Sequence, residues 1–422
     1  MKPTIITASA SNTQLKHIRG SDIRGIAQLV TQATAGVTRI AEDVHQSVLN
    51  IMDVPGVKTP GLLRDITAIV YQSVHDITLL GGKGVDMVLA KLQPLFESAE
   101  DAKLGTPQRE AVLSALNGLM GDRLVASNNP FAIPMTLRCQ GKTLNWQVLP
   151  PMPDVTGKVL VLIHGLCMND LQWHTRHKGL WIFHGEALES ALGYSPVYLR
   201  YNSGLHISQN GRELSAQLEQ LVMHWPTQLE ELTVVAHSMG GLVIRSAFYY
   251  AKQEALGWPD HLKNIVFLGT PHHGASLERA GNRLDVILSS TPYTAPFAKL
   301  GHLRSAGITD LRYGHLLDED WNSHHRFHRK PDNRQIVPLP DGVACYTVAA
   351  AMASKPSTFA NHLAGDGLVP LPSALGQHDD SRRTLVFPKS SQSIAYRMNH
   401  MDLLSSPKVT RKIIQWLTPA ET

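Results

Sequence analysis

Residues Thr233 to Val243 read Thr-Val-Val-Ala-His-Ser-Met-Gly-Gly-Leu-Val. A Val-rich apolar run gives way to His237 and Ser238, then to two glycines and a second apolar run. This is the pattern of a strand that turns sharply into a helix with a serine at the apex. Such a turn holds the serine in a strained backbone conformation. The small residues Ala236 and Gly240 let strand and helix approach closely. The hydroxyl then stands clear of the backbone, and the Met239 N–H, at a helix N-terminus, can stabilise an oxyanion. The chemistry implied is acyl transfer through a serine nucleophile. Five residues do not make a site, so the rest of the chain must supply a second oxyanion donor, a base and an acid.

Three segments supply them. His164-Gly165-Leu166 follows the apolar run Lys158 to Ile163. A tight turn there would leave the Leu166 N–H pointing into the site beside that of Met239. Gly365-Asp366-Gly367 brackets a carboxylate with glycines that let it turn inward. Asn399-His400-Met401 follows the last expected strand. A histidine there can take the serine proton at Nε2 while Asp366 holds its Nδ1–H. The rival acids Asp341, Asp379 and Asp380 start a strand or sit in a polar run. The rival bases His362 and His378 precede the last strand. Asp402 suits the cap of the turn that follows. Cys167 lies near the oxyanion turn without a better claim than Ser238. Met168, Trp173, Leu166 and Met239 are expected to line an apolar acyl pocket, which favours fatty-acyl or aryl esters.

The remaining histidines give no clear metal set. His237 and His273 lie inside motifs and are expected to pack behind the site. His174, His177 and His184 fall near one another without diagnostic ligand spacing. No metal and no organic cofactor is called for. The three cysteines Cys139, Cys167 and Cys345 are odd in number and widely spaced, which implies no disulfide framework. An apolar fraction of 43% and a charged fraction of 18% are those of a globular chain. A formal charge of +4 with no long basic run gives nucleic-acid binding little support. The N-terminus lacks the apolar core of a signal peptide, and no stretch approaches a membrane span. The expected setting is therefore cytoplasmic, which leaves room for peripheral contact with a lipid interface.

Positioning such residues requires a particular scaffold. Residues 1–20 read as a flexible tail. From Ser21 apolar residues recur at steps of three and four, and Pro55, Pro60 and Gly81-Gly82 divide the run. An all-α helical bundle is expected over 21–125, ending in a helix from about Pro107 to Met120. It is an appendage, a surface for a homo-oligomer, or an element lying on lipid. Thr136 to Cys139 and Leu144 to Leu149 are expected as a hairpin joined at Gln140-Gly141-Lys142. Strands and helices then alternate. Strands are expected at Lys158–Ile163, Val197–Arg200, before Ser238, and at Asn264–Leu268, Ala344–Ala349 and Thr384–Phe387. Helices are expected at Gly211–His224, after Ser238 and at the C-terminus. The expected class is α/β, a mostly parallel sheet with helices on both faces. The interval of about 275–340 has no clean strand and is expected as a cap or lid over the sheet's C-terminal edge.

The order Ser, Asp, His resembles that of α/β-hydrolase-fold lipases and esterases. Phe267-Leu268-Gly269-Thr270-Pro271-His272-His273-Gly274 is similar to the corresponding stretch of the bacterial lipase and PGAP1-like branch. The resemblance spans about residues 135–420 and leaves out the bundle. It implies a catalytic domain over that range that hydrolyses carboxylic esters through an acyl-serine. In that reading Ser238 attacks, His400 is the base, Asp366 orients it, and the Leu166 and Met239 amides hold the oxyanion. The same triad also serves thioesterases, amidases and lipid acyltransferases. A non-catalytic binding protein of the same fold is the alternative from another class.

Overall fold

The structure, a computed structural model, describes residues 21, 24, 25, 28, 107–177, 180–275, 304–322, 334–354 and 365–419. The expected tail, most of the expected bundle, and His362 lie outside these residues.

The strands are β1 (Thr136–Cys139), β2 (Lys142–Thr143), β3 (Lys158–Ile163), β4 (His174–His177), β5 (Leu180–Phe183), β6 (Ser195–Arg200), β7 (Glu231–His237), β8 (Leu262–Leu268), β9 (Ala344–Ala351) and β10 (Gln392–Tyr396). The helices are α1 (Pro107–Ala126), α2 (His184–Leu192), α3 (Ile207–His224), α4 (Met239–Gln253), α5 (Ala306–Tyr313), α6 (Asp318–Asn322), α7 (Leu371–Ala374) and α8 (Pro407–Leu417). Eight strands form one sheet in the order β10-β9-β8-β7-β3-β6-β1-β2. The six strands from β10 to β6 run parallel, and β1 and β2 close one edge antiparallel. β4 and β5 pair separately as a small hairpin.

The unbroken apolar runs follow from burial on both faces. In β3, Val159, Val161 and Ile163 face one core with Val234, Ala236, Ile265 and Phe267. Leu160 and Leu162 face the other core with Val235, Val266 and Leu268. The first core is closed by α1, α3 and α4 through Leu116, Leu119, Leu124, Leu214, Leu218, Leu242 and Val243. The second is closed by α2 and α8 through Leu188, Val409, Ile413 and Leu417. Each such side chain removed from water contributes about 1.5–3 kcal/mol. The order reverses at β3. The chain leaves β3 for β6 on one side and leaves β7 for β8 on the other. The crevice at the C-terminal ends of β3 and β7 is where ligands bind in open α/β sheets.

Three expectations change. The strand expected over Leu144–Leu149 is absent; β2 ends at Thr143, followed by one more bond from the Leu144 N–H to Leu137 O at 2.8 Å. Asn145 turns the chain there, accepting the Val148 N–H at its carbonyl and the Gln147 N–H at its side chain. Thr384–Phe387 is not a strand either. Leu385 and Phe387 are buried, but the Leu385 N–H bonds to Gly376 O in a loop. The last strand is β10, which lies at the sheet's edge and buries only Ala395. Finally, α1 was expected to end the N-terminal bundle, yet it is built into the hydrophobic core of the sheet. It runs on past a kink at Met120. Glu110 Oε2 accepts from Arg200 Nε and Nη2 at 3.0 and 2.7 Å, tying the helix to β6.

Of the interval 275–340, where a cap was expected, the described residues include α5 and α6. They are docked at the C-terminal edge of the sheet. Ser305 Oγ donates to Gly118 O of α1 at 2.6 Å. Asp310, fully buried, accepts from His206 Nδ1 at 2.9 Å, the Ile207 N–H at 2.9 Å and His315 Nδ1 at 3.2 Å. Burial raises the Asp310 carboxyl, but the hydrogen bonds from the two histidines outweigh it and hold the group below its ordinary range.

Candidate active site

Ser238 sits between β7 and α4 with φ 54° and ψ −123°. Few non-glycine residues adopt this region, and it is sustained here by the surrounding bonds. The Ser238 N–H donates to Leu268 O at 2.8 Å, and its carbonyl accepts the Gly241 N–H at 3.1 Å. Gly240 explains the small-residue requirement. A Cβ there would lie 2.7 Å from the carbonyl oxygens of both Ile163 and His164. The helix can therefore start against the end of β3 only if residue 240 has no side chain. Gly165 is equally constrained, since its Cβ would fall 3.0 Å from Ser238 Cβ and 3.2 Å from Met168 Sδ. The turn after β3 thus lies directly against the serine.

That turn is held from outside. Cys167 has φ 58°, and its N–H donates to Ser203 Oγ at 3.0 Å. Tyr201 Oη donates to His164 O at 2.9 Å and stacks its ring on the His164 imidazole at 4.4 Å. The His164 Nδ1–H donates to Gly165 O at 2.9 Å. Burial pushes His164 down to about 3, so it stays neutral. Among the described residues, the Leu166 and Met239 amides have no acceptor. Both residues are buried. Tyr201 and Ser203 were not singled out from the sequence. The signal for them was position, because both follow the end of β6, the strand paired with β3.

Asp366 and His400 meet. His400 Nδ1–H donates to Asp366 Oδ2 at 2.6 Å, and both side chains are 1% exposed. Asp366 Oδ1 accepts the Leu368 and Val369 N–H groups at 2.9 and 2.8 Å. Gly365 and Gly367 take φ of 47° and 95°, the turn that brings the carboxylate inward. The His400 N–H also donates to Asp366 O at 3.2 Å. Among the described residues His400 Nε2 is buried with no hydrogen-bond partner, so no bond joins it to Ser238 Oγ. In resting hydrolases this bond is often long and tightens when substrate binds.

His237 links the two halves. Its Nε2–H donates to the His400 carbonyl at 3.2 Å, and the two rings lie 4.6 Å apart. Burial first, then the neighbouring His400, hold His237 well below the ordinary imidazole range. Gly269 lies against the base, for a Cβ there would be 3.1 Å from His400 Nδ1. His273 packs behind the site as expected, its Nε2–H donating to Gly376 O at 3.0 Å.

The other expected residues fall as follows. Met168 lies beside Gly165 and Ser238 Cβ. Trp173 is packed in the second core, its ring edge-on to His184 at 6.1 Å. It therefore serves the packing of that layer. Burial pushes the Cys167 thiol up to about 12, far from a thiolate nucleophile. Asp402 accepts the Asn399 N–H at 2.9 Å and is not paired with His400. Asp380 is taken by Arg382 at 2.8 Å. His184 donates from Nε2 to Leu403 O at 2.8 Å, and Thr410 Oγ1 lies 3.0 Å from its Nδ1. Among the described residues no group of three or more His, Cys, Asp or Glu is arranged to hold a metal. Among the same residues no helix is long and apolar enough to cross a membrane.

The sheet order, the strained serine turn after β7 and the loops after β9 and β10 define an α/β-hydrolase fold. Within it, residues 154–339 match the family model of the PGAP1-like alpha/beta domain. The matched stretch includes Ser238 and ends before Asp366 and His400. No curated protein matches the chain. Similar solved structures include a Bacillus licheniformis lipase, BlEst2, in its mature form, at 18% identity and a TM-score of 0.39, covering 64% of this chain and 95% of that one. Aspergillus fumigatus lipase B is similar at 11% identity and a TM-score of 0.40, covering 92% of this chain and 83% of that one. The RedJ thioesterase of Streptomyces coelicolor is similar at 13% identity and a TM-score of 0.33, covering 64% and 93%. These likenesses bear on no substrate and no residue's role.

Proposed function

We propose that the protein is a serine hydrolase of apolar carboxylic esters, acting through an acyl-serine. The observation that carries this reading is the state of His400. One ring nitrogen is held by a buried carboxylate at 2.6 Å and the other is buried without a partner among the described residues, and the His400 ring packs 4.6 Å from that of His237, which directly precedes Ser238 on its strained turn. In the first half-reaction Ser238 Oγ attacks the ester carbonyl and His400 Nε2 takes the hydroxyl proton. The tetrahedral oxyanion is held by the Leu166 and Met239 amides. Each such donor contributes roughly 3 kcal/mol in other hydrolases. The C–O bond to the alcohol breaks, and His400 returns the proton to the leaving oxygen. Water then adds to the acyl-serine with His400 again as base, and the acid departs. Asp366 keeps the proton on Nδ1 and stabilises the imidazolium. Met168 and Leu166 supply the apolar neighbourhood that favours fatty-acyl or aryl groups.

The same residues suit thioester, amide or acyl-transfer chemistry. The test is turnover of p-nitrophenyl esters from acetate to palmitate beside matched thioester and anilide substrates, wild type against Ser238→Ala. The account expects ester turnover in the wild type and a loss of about 10⁶-fold in the variant. Faster thioester or anilide turnover would move the substrate class. No turnover of any substrate by the wild type would favour a binding protein of the same fold.

A further inference from the structure

Helix α8 carries charge in an arrangement that the fold itself does not require. Its apolar face, Val409, Ile413 and Leu417, is buried against the sheet. Beside it Lys408, Arg411, Lys412 and Gln415 follow at steps of three, one and three, which places them on one face of the helix. Like charges at this spacing repel, and a cation in the first turn of a helix opposes the helix dipole. Among the described residues Lys408 and Arg411 have no acidic partner. Lys412 reaches only the Gln415 amide at 3.0 Å and the Trp416 ring at 4.9 Å.

These side chains line an open groove of about 230 Å³ between α8 and the edge strand β10. Its other walls are Ser393, Val348, Ala395 and Val409, and no carboxylate lines it. The surrounding sequence is skewed in the same sense. Residues 379–419 hold seven Lys and Arg against Asp379, Asp380 and Asp402, with Arg382 and Arg383 already paired to Asp380, whereas the whole chain has a formal charge of only +4. The groove therefore combines an uncompensated positive field, a hydroxyl and an apolar floor.

We infer that this groove docks the phosphate headgroups of an anionic lipid surface. A phosphate ester supplies the charge that the stripe lacks, and its glycerol carbons suit the apolar floor, which inorganic phosphate would leave uncovered. This rests on the reading of the protein as a hydrolase of apolar acyl esters, whose substrates gather at lipid surfaces. The groove lies along β10, the edge strand whose following loop carries His400.

The test uses full-length Ser238→Ala protein, so that binding is read without hydrolysis and a failure of the catalytic reading leaves it intact. Co-sedimentation is measured with phosphatidylcholine vesicles and with vesicles containing phosphatidylglycerol. The expected result is binding to the second kind and little to the first. Adding Lys408→Glu, Arg411→Glu and Lys412→Glu lowers the partition coefficient by more than about a hundredfold, since each basic residue near such a surface contributes roughly fivefold and the introduced carboxylates are repelled. Far-UV circular dichroism is unchanged in that protein. The matched reversal Arg123→Glu, Lys252→Glu and Lys263→Glu keeps most of the binding. Equal binding to both vesicles, no effect of the α8 reversal, or equal loss in the matched reversal would overturn the proposal. Displacement by millimolar inorganic phosphate would reassign the groove to free phosphate.

Discussion

At the scale of single residues, the site depends on how rigidly His400 is held. Its ring is fixed by Asp366, its N–H by Asp366 O and its carbonyl by His237. Because His237 directly precedes Ser238, one side chain joins the loop of His400 to the strand that leads into Ser238. Replacing it with leucine frees the His400 carbonyl. Small misplacements of reacting groups cost up to about a hundredfold. We expect kcat on p-nitrophenyl butyrate to fall about tenfold to a hundredfold in His237→Leu with KM unchanged. His237→Gln, whose amide can donate to the same carbonyl, should recover most of it. If glutamine is as poor as leucine, the hydrogen bond is not what matters. Asp366→Asn removes the acceptor that keeps the proton on Nδ1, and a loss of about 10⁴ in kcat is expected from the wrong tautomer. Ser238, Asp366 and His400 could be singled out in the sequence because each sits in a short motif with its own turn chemistry. His237's bond could not be, since the partner is a backbone carbonyl 163 residues away.

At the scale of elements, the turn after β3 that carries Leu166 is a joint product of α1, β6 and the turn itself. Gly118 of α1 meets Cys167 so closely that an added Cβ would fall 2.3 Å from Sγ and 2.9 Å from the Cys167 backbone. Gly118→Val therefore has to push that turn or the helix. A stability loss of about 1–3 kcal/mol is expected from overpacking, read by urea denaturation, together with a fall in kcat. Wild-type stability with wild-type kcat would show that the turn is not held by the helix. Secondary structure was readable where burial leaves one plain pattern: an unbroken apolar run in β3 and β7, and an apolar face at steps of three and four in α3. It was misread where burial and pairing part company. Leu385 and Phe387 look like a buried strand but pack from a loop, while β10 looks polar because it is an edge. Helix α1 was assigned to the bundle because periodicity gives an apolar face without naming what covers it.

At the scale of the whole molecule, buried neutral histidines set a dependence of stability on pH. Burial lowers His184 and His273 to about 4, and His164 to about 3. Unfolded histidines titrate near 6.5. Between those values the unfolded chain binds more protons than the folded one, so stability is fully present above about 6.5 and is lost as pH falls toward 4. Each such histidine contributes a slope of roughly 1.4 kcal/mol per pH unit in that window. Tm should therefore drop steeply from pH 6.5 to 4.5, and His184→Gln should flatten the slope. A Tm independent of pH over that range would contradict the neutral burial. The central claim concerns the intact protein's chemistry, and a covalent probe tests it most directly. Wild type and Ser238→Ala are treated with diethyl p-nitrophenyl phosphate, and the intact mass and the modified peptide are read. The account predicts one diethylphosphoryl group on the wild type, mapped to Ser238, none on the variant, and suppression by Asp366→Asn. A label on any other residue, or an unlabelled wild type, would contradict it.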